Sequence, residues 1–140
     1  LLEEYIKTGK VYFVYHDLPL IDIHPYALQA AHFASCAGDQ GQFWEMHARI
    51  FAGYETKDWG GADDFKIFVG YGRELGLDLS QLQDCVNANT HADRFNRDRM
   101  LATQNGIRST PSFLINGQPF VGAQPYNRWK QVLDRLLAQQ

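Results

Sequence analysis

Apolar positions along the chain follow two periods, and each change of period marks a change of element. LLEEYIKTGK reads as the closing turns of a helix with Gly9 as its C-cap. Val11 to Leu20, VYFVYHDLPL, is β-branched, aromatic and almost continuously apolar as far as His16, the pattern of a buried strand of the parallel-sheet kind, and Pro19 ends it. Helical spacing then takes over. HPYALQAAHFASCA predicts a helix with Pro25 near its first position and apolar or small residues at 27, 28, 31, 34 and 35. DQGQFWEMHARIFAG predicts a second, with Asp39 as N-cap and Phe43, Met46, Ile50 and Phe51 as its inward stripe. YETKDWGGADD is a turn-rich connection. DDFKIFVGYGRELGLD predicts a third helix facing inward through Phe65, Phe68, Val69 and Leu75, and LSQLQDCVNAN a fourth capped by Ser80. THADRFNRDRMLATQNG predicts a long polar fifth from a Thr90 cap to Gly106. Strand character returns at 112–115 and 119–121 on either side of Asn116-Gly117, the strongest hairpin signal in the chain, and QPYNRWKQVLDRLLAQQ predicts a last helix.

That order, one strand, several helices, a hairpin and a helix, predicts an α/β domain interrupted by a helical insertion. Residues 22–90 form the expected insert, and 1–21 with 91–140 the part that receives it. With 140 residues, 45% hydrophobic and 14% aromatic, the chain is long enough for one domain with a real core. The net charge of −3, with 13 Lys and Arg scattered and no basic run, argues against a nucleic-acid surface. No apolar stretch approaches the roughly 18 residues of a membrane span, so membrane insertion is not expected. Neither is there a charged n-region followed by an apolar core, the signature of a signal peptide. The chain opens on Leu1 inside a predicted helix, so a segment ahead of it is expected, and any targeting information would lie there.

Pro111 is the first residue with a claim to chemistry. It stands directly before Ser112-Phe113-Leu114-Ile115 in GIRSTPSFLING, and proline has no N–H to give a sheet ladder, so its spacing alone fits the first residue of a strand. A cis bond that turns the backbone of Thr110 toward a site is the sharper reading, and spacing alone does not favour it.

Three segments nevertheless carry a resemblance. GIRSTPSFLINGQPFVGAQP resembles the Thr-Pro loop, hairpin and last helix of the DsbA-like branch of the thioredoxin superfamily. CAGDQGQFWEMHARIF resembles the helical insert of its bacterial extracytoplasmic members, and EEYIKTGKVYFVYHDLPL the end of their first helix and the strand after it. The resemblance implies a thioredoxin-like fold with a helical insertion, N-terminally incomplete. It also implies a cis Pro111 with Thr110 supplying main-chain contacts to a peptide, these two being the catalytic-site residues it assigns to this chain. The implied activity is thiol-disulfide exchange with unfolded or extended polypeptides, with a further redox partner protein, no cofactor, and a periplasmic or otherwise extracytoplasmic location. Two other functions stay open: a glutathione-dependent isomerase-type relative, and a redox-inactive peptide-binding module.

The chain departs from that family in having no Cys-X-X-Cys. The redox pair is therefore expected before Leu1, at a helix N-terminus that lowers a thiol's pKa. On that basis the parent is expected to be a protein disulfide oxidoreductase, and these 140 residues alone are expected to be inactive in dithiol cycling. Cys36 and Cys85, the two cysteines present, have three open readings: buried free thiols, a structural disulfide, or a catalytic pair. A bridge between them would stabilise by roughly 4 kcal/mol in the chain-entropy model. His32 and Cys36 lie four apart on one helix face with His24 and His47 nearby in sequence, too few ligands at metal spacing to predict a site. His16 reads as a polar residue at a sheet end and His47 as a helix-surface or interhelical residue. Nothing in the sequence brings Asp17 to Glu45 or Glu74. Phe43, Trp44 and Phe51 are expected in the core, and Trp59 on an exposed loop.

Overall fold

Small residues decide how closely the helices of the central stretch approach one another. The structure is a computed structural model that describes residues 1–61 and 63–139. Its helices are α1 (Ala27–Gly38), α2 (Phe43–Glu55), α3 (Asp64–Glu74), α4 (Leu79–Asn87), α5 (Ala92–Gln104) and α6 (Tyr126–Leu137), and its strands β1 (Ser112–Ile115) and β2 (Gln118–Val121). Two units result: Leu1–His16 with the chain from Leu101 onward, and Asp17–Met100.

In the Asp17–Met100 unit, α1 packs against α2, α3 and α4. Phe33, Cys36, Met46, Phe68 and Leu82 are buried at the centre of the unit's core, each large apolar side chain contributing about 1.5–3 kcal/mol by leaving water. Gly72, a poor helix former, is explained by this packing, because a Cβ there would stand 2.5 Å from Leu82 Cδ2 on α4. Gly53 on α2 is equally constrained, because a Cβ there would run into the Tyr71 hydroxyl. A partly buried charge network ties α5 to Asp17 and to α1. Asp17 and Asp98 are buried, and Arg94 on α5 reaches Asp17 Oδ2 at 2.8 Å while also donating to Ser35 Oγ. Asp17 thus pairs with a guanidinium, whereas Glu74 pairs with Arg49 at 2.7 Å.

The other unit is smaller. A single wide turn of π-helix, Leu2–Ile6, is capped by Lys7, not by the expected Gly9, which follows two residues later in the left-handed region at φ +74°. β1 and β2 pair antiparallel, Ser112 opposite Val121 and Ile115 opposite Gln118, around Asn116-Gly117 with both residues at positive φ, as a two-residue hairpin turn requires. Trp129 of α6 lies edge-on to Phe113 at 4.6 Å and Phe120 at 4.7 Å, and with Tyr5 and Leu133 makes the core of this unit.

Several expectations need correction. Val11 to Leu20 is not a strand: the described sheet holds only β1 and β2, and Tyr12, Phe13 and Val14 are exposed. Apolar, β-branched composition makes a strand only where a neighbour completes the ladder, and the sheet among the described residues is that of β1 and β2. The caps also differ. Pro25 precedes the N-cap of α1, Tyr26. Asp39 is the C-cap of α1, and Gln42 is the N-cap of α2. Asp78, not Ser80, caps α4, its carboxylate accepting from the Gln81 N–H at 3.0 Å. The Thr90 hydroxyl turns back to the Cys85 carbonyl at 3.1 Å, closing α4. Trp44 and Phe51 are exposed, because the inward face of α2 is already taken by Met46, Ile50 and Gly53. Trp59 packs against the core instead, its Nε1–H donating to the Ile50 carbonyl at 2.8 Å.

Candidate functional site

Two helix ends and the turns that follow them bring four side chains together in the Asp17–Met100 unit. Cys36 lies near the end of α1, with Asp39 capping that helix. Cys85 lies in the last turn of α4, and His91 follows in the turn before α5. A glutamine fixes the relation between the two helices. The Gln40 amide donates to the Asp78 carbonyl at 3.1 Å and accepts from the Asp78 N–H at 2.8 Å, holding the start of α4 against the end of α1. The Cα atoms of Cys36 and Cys85 are consequently 5.9 Å apart, within the range of a disulfide, and their sulfurs are bonded. His91 Nε2 lies 2.9 Å from Asp39 Oδ2, and that same oxygen is 3.5 Å from Cys85 Sγ. One ligand-type atom from each of the four residues lies within 4.8 Å of every other.

Cys36 is buried and Cys85 half-buried. An incoming thiolate attacks a disulfide along the S–S axis, and Cys85 is the more exposed of the two residues. The expectation that these 140 residues alone are inactive in dithiol cycling is therefore overturned. The chain carries a disulfide of its own, a two-electron couple made by residues far apart in sequence.

The histidines singled out by spacing do not join this cluster. His32, one turn before Cys36, is buried edge-on to Phe95 at 4.6 Å, and its Nδ1 has no hydrogen-bond partner among the described residues. Burial, and then the nearby His91 and Arg94, hold its pKa below the ordinary value. His47 is likewise lowered by burial, among the rings of Phe43, Trp44 and Phe51. His24 meets Tyr54 edge-on. Sequence reasoning missed Asp39 and His91. The signal available was the spacing Cys36-x2-Asp39 and Cys85-x5-His91, each pair straddling the end of a helix.

The second group of candidate residues belongs to the smaller unit. Thr110 and Pro111 are exposed, and the peptide bond between them is cis. Pro111 stands one residue before β1, where its missing N–H costs the ladder nothing, and its carbonyl accepts from the Gly122 N–H at 2.9 Å. Ser112 Oγ donates to the Ser109 carbonyl at 2.6 Å and closes the turn before the strand.

Helices and a two-stranded antiparallel sheet among the described residues, with a disulfide between non-adjacent cysteines, belong to a small α/β chain of the thioredoxin superfamily. Residues 1–135 match the thioredoxin family, and the chain belongs to it. It is 37% identical over 111 residues to the Na(+)/H(+) antiporter NhaA 1 of Salinispora arenicola, an alignment covering 79% of this chain and 16% of that protein. It is 36% identical over 122 residues to the Na(+)/H(+) antiporter NhaA 3 of Salinispora tropica, covering 87% and 18% respectively. With the Na(+)/H(+) antiporter NhaA 1 of a Mycobacterium species the identity is 32% over 112 residues, 79% of this chain and 17% of that protein. The chain thus spans less than a fifth of the length of these relatives. No solved structure matches it. Among the described residues, no helix is long and apolar enough to cross a membrane.

Proposed function

We propose that the chain performs thiol-disulfide exchange with extended polypeptides, as a DsbA-like member of the thioredoxin family in an extracytoplasmic compartment. The observation that carries this reading is a cysteine pair at bonding distance within a thioredoxin-family chain. A substrate thiolate attacks Cys85 Sγ, the Cys36–Cys85 bond breaks, and the electron pair leaves on Cys36 Sγ, which takes a proton from solvent and becomes a buried thiol. A second substrate thiolate then attacks the mixed disulfide, releasing Cys85 and an oxidised substrate. Within the smaller unit, Thr110 and Pro111 are the residues we assign to binding extended polypeptide, which would add to the main chain there as a short strand; the attack on Cys85 is assigned to the Asp17–Met100 unit by itself. A disulfide that persists fits an oxidising compartment.

Mass spectrometry of the oxidised chain mixed with a peptide dithiol tests this. The expected result is oxidised peptide with stoichiometric loss of the Cys36–Cys85 bond, and in Cys36→Ser a peptide adduct on Cys85 after addition of the peptide's mixed disulfide with glutathione. Peptide oxidation no faster than with glutathione disulfide at equal concentration rejects it.

The similarity to part of proteins named as Na(+)/H(+) antiporters supports a second reading, in which a unit of this kind acts by thiol chemistry on the transporter it accompanies. Sodium-proton exchange by such an antiporter in vesicles is then expected to differ between this chain and its Cys85→Ser variant. Equal rates reject that reading.

A further inference from the structure

We propose that, once the disulfide is reduced, Cys36, Asp39, Cys85 and His91 form a four-coordinate site for zinc(II), so that a sulfur-sulfur bond and a metal ion are alternative occupants of one place. The inference is separate from disulfide exchange with polypeptides, because it needs only that the bond can be opened by a dithiol.

The donor set comes first. Two thiolate sulfurs, one imidazole nitrogen and one carboxylate oxygen suit a borderline ion without a geometric preference of its own. Magnesium and calcium instead take shells of oxygen. Geometry comes next. Zinc–sulfur bonds of about 2.3 Å and zinc–nitrogen or zinc–oxygen bonds of about 2.0–2.2 Å place tetrahedral ligand atoms roughly 3.3–3.8 Å from one another. Asp39 Oδ2 and Cys85 Sγ already stand at 3.5 Å. Asp39 Oδ2 and His91 Nε2, at 2.9 Å, need to part by only about half an ångström to meet that spacing. The sulfurs, bonded to each other in the oxidised chain, must separate to about 3.8 Å. With the bond gone, rotation about each Cα–Cβ bond supplies that movement while the backbones stay where the Gln40–Asp78 pairing holds them.

An independent electrostatic observation points to a cation. The cluster sits where α1 and α4 both end, and a helix C-terminus carries the negative end of its dipole. Neither helix has a basic residue in its last turn to offset that charge. Reduction adds two further potential negative charges beside the Asp39 carboxylate. Cys36 would be an unfavourable place for a lone thiolate because it is buried, and a divalent ion bonded to both sulfurs removes that penalty. Entry is open from the side of Asp39, which is exposed.

The chemistry balances in two steps. A dithiol reduces the bond, giving two protein thiols and the disulfide of the reductant. Zinc(II) then displaces two thiol protons, which leave to solvent, and His91 binds through its neutral ring. In reverse, an external disulfide takes two electrons from the bound thiolates, re-forming Cys36–Cys85 and releasing two external thiolates and zinc(II). The site therefore holds metal only under reducing conditions and releases it on oxidation.

Cobalt(II) and zinc(II) titrations of the whole chain test this, with the disulfide either intact or reduced by a dithiol that is removed under argon. The reduced chain is expected to bind one cobalt per molecule, with thiolate-to-metal charge-transfer bands in the near ultraviolet and tetrahedral d–d bands in the visible. The oxidised chain is expected to bind none. Asp39→Asn and His91→Gln, checked as folded in the oxidised form by circular dichroism, are expected to weaken zinc binding at least about tenfold. If reduction unfolds the helices, zinc is expected to restore the circular dichroism of the unsubstituted chain and not of His91→Gln. The proposal is overturned if the reduced chain binds no metal, if Asp39→Asn and His91→Gln bind as tightly as the parent, or if a reduced unfolded chain is not refolded by zinc.

Discussion

Tyr5 shows how one side chain fixes the approach to a candidate binding residue. It is buried, and its hydroxyl donates to Asp134 Oδ1 at 2.7 Å, tying the turn Leu2–Ile6 to α6 within the core that also holds Phe113 and Ile115 of β1. That strand begins one residue after Pro111. The Tyr5 hydrogen bond, and after it Lys130 at 3.1 Å, hold the Asp134 carboxyl below its ordinary 3.8. Because the folded value is the lower one, the pairing contributes fully above the ordinary value, and the contribution is lost as pH falls through the lowered one. Tyr5→Phe removes the larger cause and leaves the ring. An NMR titration of Asp134 is expected to show its pKa rising back toward 3.8 in that variant, with the chain less sensitive to acid below that pH. An unchanged Asp134 titration contradicts the assignment.

Elements were legible where local chemistry alone specifies them. Asn116-Gly117 between two apolar runs gave the hairpin because only residues tolerant of positive φ close a two-residue turn. Met46, Ile50 and Phe68 gave helix faces because burial repeats at helical spacing, whereas Phe33, central to the core, was not among the positions read from the first helix. Caps were less legible, since several polar residues near a helix start compete and the backbone chooses among them. At α4 both Asp78 and Ser80 are candidates by type, and the structure selects Asp78, held by Gln40 on its own main chain. Asp78→Ala is accordingly expected to cost about 1 kcal/mol of stability, measured by urea unfolding. Ser80→Ala, inside the first turn, is expected to cost at most a few tenths. Equal costs at the two positions contradict this account.

At the scale of the whole molecule, what the sequence hides is whatever depends on distant partners. Val11 to Leu20 has strand composition, yet it is not one of the strands of the described sheet, so composition by itself misleads. Asp39 was legible as a cap and assigned to the wrong helix. Its place beside Cys85 and His91 depends on how α1 and α4 pack, which no local pattern encodes. Cys36 and Cys85 were legible as a possible pair, but their bonding follows from that same packing. The pair encloses a loop 49 residues in span, so in the chain-entropy model the closed bond removes about 4 kcal/mol of unfolded-state freedom. Most of α1 to α4 lies within or beside that loop, and Trp59, inside it, packs on the core it encloses. Urea unfolding followed through Trp59 in a Trp44→Phe/Trp129→Phe background is therefore expected to lose about 4 kcal/mol when Cys36 and Cys85 are both Ser. The slope with denaturant is expected to steepen, because the uncrosslinked unfolded chain exposes more surface. A Trp59 transition at the same midpoint with and without the cysteines means that the packing of α1 on α4, rather than the bond, holds the helical unit closed.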